Sequence, residues 1–337
     1  MKPLSIKDIA KKANVSITTV SFILNGKAEK MRISQEMIAK VEKIIKELGF
    51  KPNQVARSLR TGNTKTIGLI VEDISNPFFA SIARLIEDKA YKHGYKIIYS
   101  STENNLDKAR GLIKMFKSRQ VDGYIIAPMV GMEEDIRELL TDRTPVVVFD
   151  RNLPGLEVSS VLIDNVEGAF LATQFLIQKG KKNIAFVNVD VEVKQIKDRF
   201  TGYEKALKAS KIKADPNICK LIPFSNTAEE TTNDLIDFFT ANPQIDAVLF
   251  GTNYLAVRGL FCFKEMNKKI DKDFKVIAYD DHDIFQLHSP SISAVEQPTE
   301  EIADQVISLI LKGLTISESF EEQQLNKVVL SSRLIER

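Results

Sequence analysis

The sequence contains no tryptophan, two cysteines and three histidines among its 337 residues. Cys219 and Cys262 lie among apolar neighbours and have no ligand-like spacing, which indicates small core residues in a reducing compartment. No run approaches the roughly 18 apolar residues that cross a bilayer, and the first residues lack the apolar stretch of a signal peptide. These absences predict a cytoplasmic chain with no membrane partner.

Motifs for common cofactors and nucleophiles are also missing. No two glycines stand two positions apart, which excludes G-x-G-x-x-G, and neither a Walker A loop nor G-x-S-x-G occurs. The stretch "DDHD" (Asp280–Asp283) combines three carboxylates with a histidine, but sequence neighbours point in different directions and no distant ligand set accompanies them. The sequence therefore predicts no metal site and no cofactor, and an enzyme is not expected.

Charge is distributed unevenly along the chain. Residues 1–65 hold 14 Lys and Arg against 5 Asp and Glu, a net charge of +9, and the remainder carries −7. A basic segment at one end of an otherwise acidic chain indicates a polyanionic partner for that end. The alternative is a solvated surface with charge scattered by chance.

The first 50 residues predict three short helices. Ser5, Ser16 and Ser34 stand where N-caps are expected, Asp8 completes a capping box with Ser5, and Gly49 ends the third helix. The first two helices are joined by the turn "ANVS". This arrangement predicts a helix-turn-helix, whose second helix enters the DNA major groove.

The second helix has a polar and aromatic face that its own domain does not need. When Val20 and Ile23 face inward, together with Leu24, the side chains of Ile17, Thr18 and Phe22 point outward. A hydroxyl can bond to base edges, and Ile and Phe can pack against a thymine methyl. A core position for Phe22 under the third helix is the alternative. Basic residues that would contact phosphates are Lys7, Lys11, Lys12, Lys27 and Arg32.

After Thr66, short apolar runs alternate with amphipathic helical stretches. The ten runs are "TIGLIV", "YKIIYS", "GYIIAP", "PVVVFD", "SSVLID", "NIAFVN", "CKLIPF", "DAVLFG", "KVIAYD" and "SISAVE". Such runs indicate parallel strands covered on both faces, and ten of them exceed one comfortable sheet. The predicted fold is an all-α helix-turn-helix headpiece (residues 1–52), a hinge helix and linker (53–65), and an α/β core (66–337) of two doubly wound parallel-sheet subdomains. The N-subdomain is expected at about 66–164 and 297–325, and the C-subdomain at about 165–293 and 326–337.

Several segments carry a family resemblance along the whole chain. "SIKDIAKKANVSITTVSFILN", "ELGFKPNQVARSLRTGNTKTIGLIV", "NPFF", "VDGYII" and "SSRLIER" resemble the lactose-repressor/galactose-repressor family of bacterial transcription regulators. The resemblance implies a periplasmic-binding-protein-like core, a homodimer on a palindromic double-stranded DNA operator, and a small-molecule effector.

In that family a leucine at the position of Leu59 inserts into the minor groove at the operator centre. Such an insertion costs base-stacking energy, and the bent DNA that results contacts more of the protein surface. Ala56 would pack hinge against hinge, and Arg57 and Arg60 would meet phosphate or groove. The base-reading positions depart from the family, whose members more often carry a polar or basic group there, so the operator sequence stays open. The expected DNA-contact residues are Lys7, Ser16, Ile17, Thr18, Thr19, Ser21, Phe22, Asn25, Arg32, Asn53, Ala56, Arg57, Leu59 and Arg60.

Doubly wound sheets bind ligands outside the carboxyl ends of their strands. The residues just past these ends are effector candidates, among them Asp150 and Arg151 after "PVVVF". The resemblance adds Arg199, which falls where the family usually has a cleft arginine, and it also matches Asn253 and Asp280 to effector-binding positions. Carboxylates, amides, an arginine and flat aromatics suit a sugar or sugar acid, while a nucleobase that stacks on Phe78 and Phe224 is the alternative. Two other classes remain, a sugar-binding protein of the periplasmic type and a doubly wound enzyme. The expected effector-binding residues are Asp73, Asn76, Phe78, Phe79, Arg151, Arg199, Phe224, Asn253 and Asp280.

Overall fold

The computed structural model describes residues 4–50, 62–271, 274–319 and 325–337. The chain divides into two compact units, Met1–Thr64 and Lys65–Arg337, and this division falls beside the predicted start of the core at residue 66. Most of the predicted hinge lies outside the described residues, including Asn53, Ala56, Arg57, Leu59 and Arg60. The roles expected for these five residues stay predictions.

The first unit contains the three predicted helices, α1 (Ile6–Ala13), α2 (Ile17–Leu24) and α3 (Gln35–Glu47). Their predicted caps are present. The backbone N–H of Ser5 donates to Asp8 Oδ2 at 2.9 Å, while the hydroxyls of Ser16 and Ser34 accept from backbone N–H groups at 3.0 and 3.3 Å. The three helices enclose one small core, which consists of Ile9, Ala10, Ala13, Val20, Ile23, Ala28, Val41, Ile44 and Phe50.

The second unit contains two six-stranded sheets, and all ten predicted strands are present. The first sheet has the order β11-β5-β4-β3-β1-β2; its strands are β1 (Thr66–Val71), β2 (Lys96–Ser101), β3 (Gly123–Ile126), β4 (Val146–Phe149), β5 (Ser159–Ile163) and β11 (Lys327–Leu330). The second has the order β12-β10-β9-β8-β6-β7; its strands are β6 (Ile184–Asp190), β7 (Cys219–Pro223), β8 (Ala247–Phe250), β9 (Lys275–Tyr279), β10 (Ser293–Glu296) and β12 (Arg333–Ile335).

Helices cover both faces of each sheet, which explains why the inner strands are continuous apolar runs. Separate hydrophobic clusters occupy the two faces of the first sheet and the two faces of the second. The doubly wound architecture is therefore confirmed. The helices of this unit are α4 (Pro77–Lys92), α5 (Leu106–Ser118), α6 (Glu133–Thr141), α7 (Asn165–Gln178), α8 (Lys194–Ala209), α9 (Ala228–Ala241), α10 (Asn253–Glu265), α11 (Asp283–Leu287) and α12 (Thr299–Ser319), with a 3₁₀ turn at Pro216–Ile218.

The predicted subdomain boundary near the end of the chain is wrong. Residues 326–337 were assigned to the C-subdomain, but β11 pairs in parallel with β5 of the first sheet, and only β12 joins the second sheet. That strand is also antiparallel to β10, so the second sheet is not parallel throughout. Both are short outer strands, and residues 327–330 alternate between exposed and half-buried positions, so they lack the continuous apolar run that marks an inner strand.

The chain crosses between the two subdomains three times. The crossings lie between β5 and α7, between β10 and α12, and between β11 and β12. The first two fall where the sequence predicted them. All three are short segments that join the two subdomains.

Helices α7 and α8 approach each other closely at Gly202. A Cβ at this position would lie 2.2 Å from the carbonyl oxygen of Val166, so no larger residue fits without moving a helix. This contact brings Arg199 on α8 within 2.9 Å (Nε to Oδ1) of Asn165 on α7. Gly202 thus allows the close helix packing that positions Arg199, a predicted effector-binding residue.

Within the described ranges, no helix is long and apolar enough to cross a bilayer.

Candidate functional site

The outward face of α2 is formed as the sequence predicts. Ile17 is 43% exposed and Thr18 is exposed. Phe22 is half-buried, and it belongs neither to the nine core residues of the headpiece nor to the apolar side chains packed against them. The Thr18 hydroxyl and the apolar side chains of Ile17 and Phe22 therefore lie on the face of α2 that does not pack into the headpiece core.

Other residues expected at DNA make local hydrogen bonds. Ser16 Oγ lies 2.8 Å from Thr19 Oγ1 in addition to capping α2, and Asn25 Nδ2 donates to the carbonyl oxygen of Ser21 at 2.6 Å. Lys7 and Arg32 are exposed. The first group fixes the ends of α2, and the second is free to reach outward from the headpiece.

Seven of the nine predicted effector residues line one cavity between the two sheets. The cavity has a volume of about 50 Å³ and lies at the carboxyl ends of the strands. The other two, Asp73 and Asn253, line an adjoining cavity of about 410 Å³. The seven residues are Asn76, Phe78, Phe79, Arg151, Arg199, Phe224 and Asp280.

On the N-subdomain side, Arg151 organises the charges. Its guanidinium pairs with the carboxylate of Glu72, its Nε lies 3.2 Å from Asp150 Oδ2, and its Nη1 lies 3.3 Å from Asn104 Oδ1. Arg151 and Glu72 are both buried. Pairing is what makes such buried charges tolerable.

On the C-subdomain side, Arg199 has the corresponding position. It donates to the carbonyl oxygen of Gly251 at 2.6 Å, and its Nη1 lies 3.8 Å from Asp280 Oδ2. Its guanidinium stacks 3.8 Å from the ring centroid of Tyr279. The amide of Gln297 donates to Asp280 Oδ1. A carboxylate and an arginine therefore face the cleft from each subdomain.

Burial dominates the electrostatics of this site. It raises the pKa of Asp150 to about 7; the positive charge of Arg199 lowers that pKa, and the negative charge of Asp280 raises it. Burial likewise raises the pKa of Asp280, against the lowering effects of Arg199 and of the Gln297 hydrogen bond. The pKa of Arg151 falls to about 10 for the same reason, with Arg199 as the next cause.

Asp150 and Asp280 occupy equivalent places in the two sheets. Each follows the third strand in its sheet order, β4 and β9, and each has a left-handed backbone with φ of 62° and 68°. A left-handed conformation is unfavourable for a residue with a Cβ, and it persists where surrounding contacts hold it. Both carboxylates are thus directed by the turn after the strand as well as by their partners.

Two hydrogen bonds cross the cleft. Asn253 Nδ2 donates to Asn76 Oδ1 at 3.1 Å, and Gln195 Nε2 lies 3.4 Å from Asp150 Oδ2. In each pair one residue belongs to each subdomain. These contacts hold the cleft in a narrow conformation.

The sequence reasoning missed ten residues that line the cavity. Six of them are polar: Glu72, Asn104, Gln195, Thr252, Tyr254 and Gln297. Glu72 and Gln297 directly follow β1 and β10, so the rule applied to the other strand ends would have found them. Gln195 lies in the first turn of α8 and Tyr254 in the first turn of α10, positions that carry no comparable signal. Among the residues that the structure describes, no group of His, Cys, Asp and Glu has the arrangement of a metal site.

Two family models match the chain in succession. The one described as "Bacterial regulatory proteins, lacI family" matches residues 5–53, and the one described as "Periplasmic binding proteins and sugar binding domain of LacI family" matches residues 64–327. The chain belongs to the LacI family. The predicted family resemblance and the headpiece-plus-core architecture are confirmed, and this LacI-family chain is a DNA-binding transcription regulator.

Three relatives align with this chain over nearly its full length. The HTH-type transcriptional regulator RegA of Clostridium saccharobutylicum is 34% identical over 336 residues, which cover 99% of this chain and 98% of that protein. The ribose operon repressor of Halalkalibacterium halodurans is 30% identical and covers 92% of this chain and 90% of its own. The repressor PurR of Vibrio atlanticus is also 30% identical, with 92% of both chains covered. All three are regulators or repressors, which confirms that the chain is not an enzyme.

Solved structures show the same fold. The Lac repressor dimer bound to operator and the anti-inducer ONPF superposes with a TM-score of 0.85 over 100% of this chain and 98% of that one, at 19% identity. A LacI family regulator from Enterococcus faecium with bound ribose has a TM-score of 0.69 at 26% identity and covers 81% of this chain and 97% of its own. The first likeness, at this low identity, supports the fold alone.

Proposed function

We propose that this LacI-family chain is a transcriptional repressor whose affinity for a palindromic operator is controlled by a monosaccharide of pentose size in the cleft. One observation carries the proposal. Each subdomain places a buried carboxylate and an arginine on the same small cavity, Asp150 and Arg151 from one and Asp280 and Arg199 from the other. A hydroxyl donates to a carboxylate and accepts from a guanidinium, so a ring with hydroxyls on several sides suits this arrangement.

Two unused acceptors support a ligand rich in hydroxyl groups. Gln195 and Gln297 are only 6% and 4% exposed, and the Oε1 atom of each has no hydrogen-bond partner within the described part of the chain. Both residues line the cavity. Buried polar atoms are normally satisfied, and a sugar hydroxyl bound beside each amide oxygen would satisfy it.

The cavity in this structure is too narrow for a ligand to enter freely. At about 50 Å³ it is far below the range of roughly 300–1,000 Å³ that is usual for drug-sized ligands, so entry requires the bonds across the cleft to open. Phe78, Phe79 and Phe224 supply apolar surface for the C–H face of a sugar ring. The name of the ribose operon repressor among the relatives, and the ribose in the Enterococcus faecium structure, support a pentose.

A nucleobase is the second candidate, because Phe78 and Phe224 are flat surfaces for stacking. A neutral base presents its polar groups in one plane, whereas the charged side chains approach this cavity from both subdomains. Phe78 and Phe79 also pack edge-to-face against each other, with ring centroids 5.1 Å apart, and Phe79 belongs to the core of the N-subdomain. The charge distribution therefore favours the sugar.

On the DNA side, the exposed face of α2 supports base contacts by Ile17, Thr18 and Phe22. We propose that the chain works as a cytoplasmic homodimer, which places two headpieces on the two halves of the operator. Sugar binding would replace the hydrogen bonds across the cleft, change the arrangement of the two subdomains and lower operator affinity, so the affinities for sugar and operator are reciprocally coupled.

The test uses the full chain and sheared DNA from its own genome. The DNA that stays bound at physiological salt is sequenced, and the experiment is repeated with D-ribose, other pentoses, hexoses and nucleobases. We expect a shared pseudo-palindrome at a few loci and release of that DNA by a pentose. The variant Asp280→Asn is the matched control: it should bind the same loci and lose the sugar response. If the bound DNA fragments share no sequence motif, the repressor proposal is wrong. If only nucleobases release the DNA, the proposal of a pentose effector is wrong.

A further inference from the structure

Two stretches that the sequence singled out, "DDHD" and "SSRLIER", are joined by one ion pair. Arg337 Nη1 donates to Asp281 Oδ1 at 2.8 Å, and Nη2 donates to Oδ2 at 2.6 Å. The arrangement is bidentate, and the two side chains are only 13% and 12% exposed. Paired donors of this kind fix geometry as well as charge.

Further bonds attach Arg337 to the start of β10. Its Nη1 also donates to the carbonyl oxygen of Ile292 at 2.8 Å, and its backbone N–H donates to Ser293 Oγ at 3.0 Å. Asp281 Oδ1 accepts in addition from the backbone N–H of His282 at 2.9 Å. The guanidinium therefore connects the turn after β9 to the neighbouring strand. Asp281 does not line the cleft cavity, and it lines an adjoining cavity of about 280 Å³ that Asp280 also lines.

The residue before Asp281 is the one that needs support. Asp280 has a left-handed backbone, and its carboxylate faces the cavity beside Arg199 and Gln297. In the equivalent turn of the first sheet, Asp150 is followed by Arg151, which itself lines the cavity. In the second sheet the following residue, Asp281, does not line this cavity and pairs with Arg337 instead.

We propose that Arg337 is a positioning residue for effector binding. By holding Asp281, it keeps the turn after β9 in the conformation that directs the Asp280 carboxylate into the cleft. The inference rests on the proposed function, because it assigns Asp280 to the effector.

The first experiment measures D-ribose binding to the full chain by calorimetry for the wild type, Arg337→Ala, Arg337→Lys and Arg333→Ala. Arg333 is the matched control, because it lies on β12, four positions before Arg337, and pairs with Glu296 at the surface. We expect Arg337→Ala to weaken binding by about tenfold, the effect of losing one charged hydrogen bond. Arg337→Lys should restore part of the loss, and Arg333→Ala should leave the affinity unchanged. An equal loss in both alanine variants would overturn the proposal, since the loss would then not be specific to the ion pair of Arg337 with Asp281.

A second comparison separates positioning from general loosening. In an Asp280→Asn background the positioned carboxylate is already changed, so Arg337→Ala should cause little further loss of D-ribose affinity. If Arg337→Ala lowers D-ribose affinity by a further tenfold in the Asp280→Asn background, Arg337 does not act through Asp280.

A third measurement does not need a sugar, and it keeps the inference distinct from the proposed function. Hydrogen exchange of the ligand-free chain should rise in Arg337→Ala over residues 275–288 and stay unchanged over residues 146–152. If the wild type binds no pentose, the proposed effector is wrong, and unchanged exchange over 275–288 would independently refute the role of Arg337.

Discussion

Replacing Asp150 by Asn should stabilise the effector-free protein at neutral and alkaline pH. The Asp150 carboxylate is 7% exposed, and its burial raises the pKa from 3.8 to about 7. The shift of about three units corresponds to about 4 kcal/mol at 1.36 kcal/mol per unit. This energy is the cost of keeping the group ionised in the folded state rather than in the unfolded chain.

The sign of the pH dependence follows from the direction of the shift. Below pH 3.8 the carboxyl is protonated in both states, so Asp150 adds no pH-dependent cost. As the pH rises towards 7 the unfolded chain releases its proton first, and the wild type loses stability. Asn does not titrate. The advantage of Asp150→Asn over the wild type should therefore grow between pH 4 and pH 8, by about 2–4 kcal/mol.

The absolute difference at one pH also contains packing and the loss of the Arg151 contact at 3.2 Å, so the growth with pH is the quantity to measure. Urea unfolding of both proteins at several pH values, without effector, gives it directly. Asp88→Asn on the exposed face of α4 is the control, and its curve should run parallel to the wild type within about 0.5 kcal/mol. A difference between Asp150→Asn and the wild type that stays constant from pH 4 to pH 8 would refute the reasoning. The same variant should bind D-ribose more weakly.

Three further predictions concern DNA and packing. Leu59→Ala, at a position outside the described residues, should lower both operator affinity and DNA bending, which a gel-shift assay with permuted sites detects; unchanged bending would contradict the insertion of Leu59. Thr18→Ala should alter the preferred operator sequence in a selection experiment, and a uniform loss across all sequences would instead make Thr18 part of the scaffold. Gly202→Ala should lower the free energy of unfolding by about 1–3 kcal/mol, because its Cβ would meet the Val166 carbonyl oxygen at 2.2 Å. Urea unfolding measures this loss, and a stability equal to the wild type would show that the two helices separate freely.

The fold was predictable where burial is two-sided. Each inner strand is an apolar run such as "PVVVFD", and each helix of the headpiece has a Ser cap followed by helical periodicity, so both signals are local. β11 and β12 gave no such signal, because a short outer strand with an exposed face is not distinguished by composition. The partner of β11 is set by which edge of the first sheet is free once β5 is in place, and that is a property of the assembled sheet.

The candidate site was predictable in its position and less so in its connections. The strand-end rule nominated Arg151 and Asp280, and both line one cavity, because parallel strands bring their carboxyl ends to one edge. It could not show that Arg151 pairs with Glu72, or that Gln195 reaches Asp150 across the cleft, because those contacts depend on how the two subdomains close. Nor could it show that Asp281 pairs with Arg337, because the two residues are 56 positions apart in the sequence.

The position of Gln297 suggests how occupancy of the cleft reaches the rest of the core. Gln297 lies in the crossing between β10 and α12, and it donates a hydrogen bond to Asp280. Asn165, which holds Arg199, lies where the crossing from β5 enters α7. Two of the three crossings therefore contain a residue bonded to a charged group of the cavity. A ligand that binds Asp280 and Arg199 would therefore contact groups that are bonded to the segments joining the two subdomains. It would shift an equilibrium between two arrangements of the subdomains only to the extent that it binds one arrangement more tightly than the other.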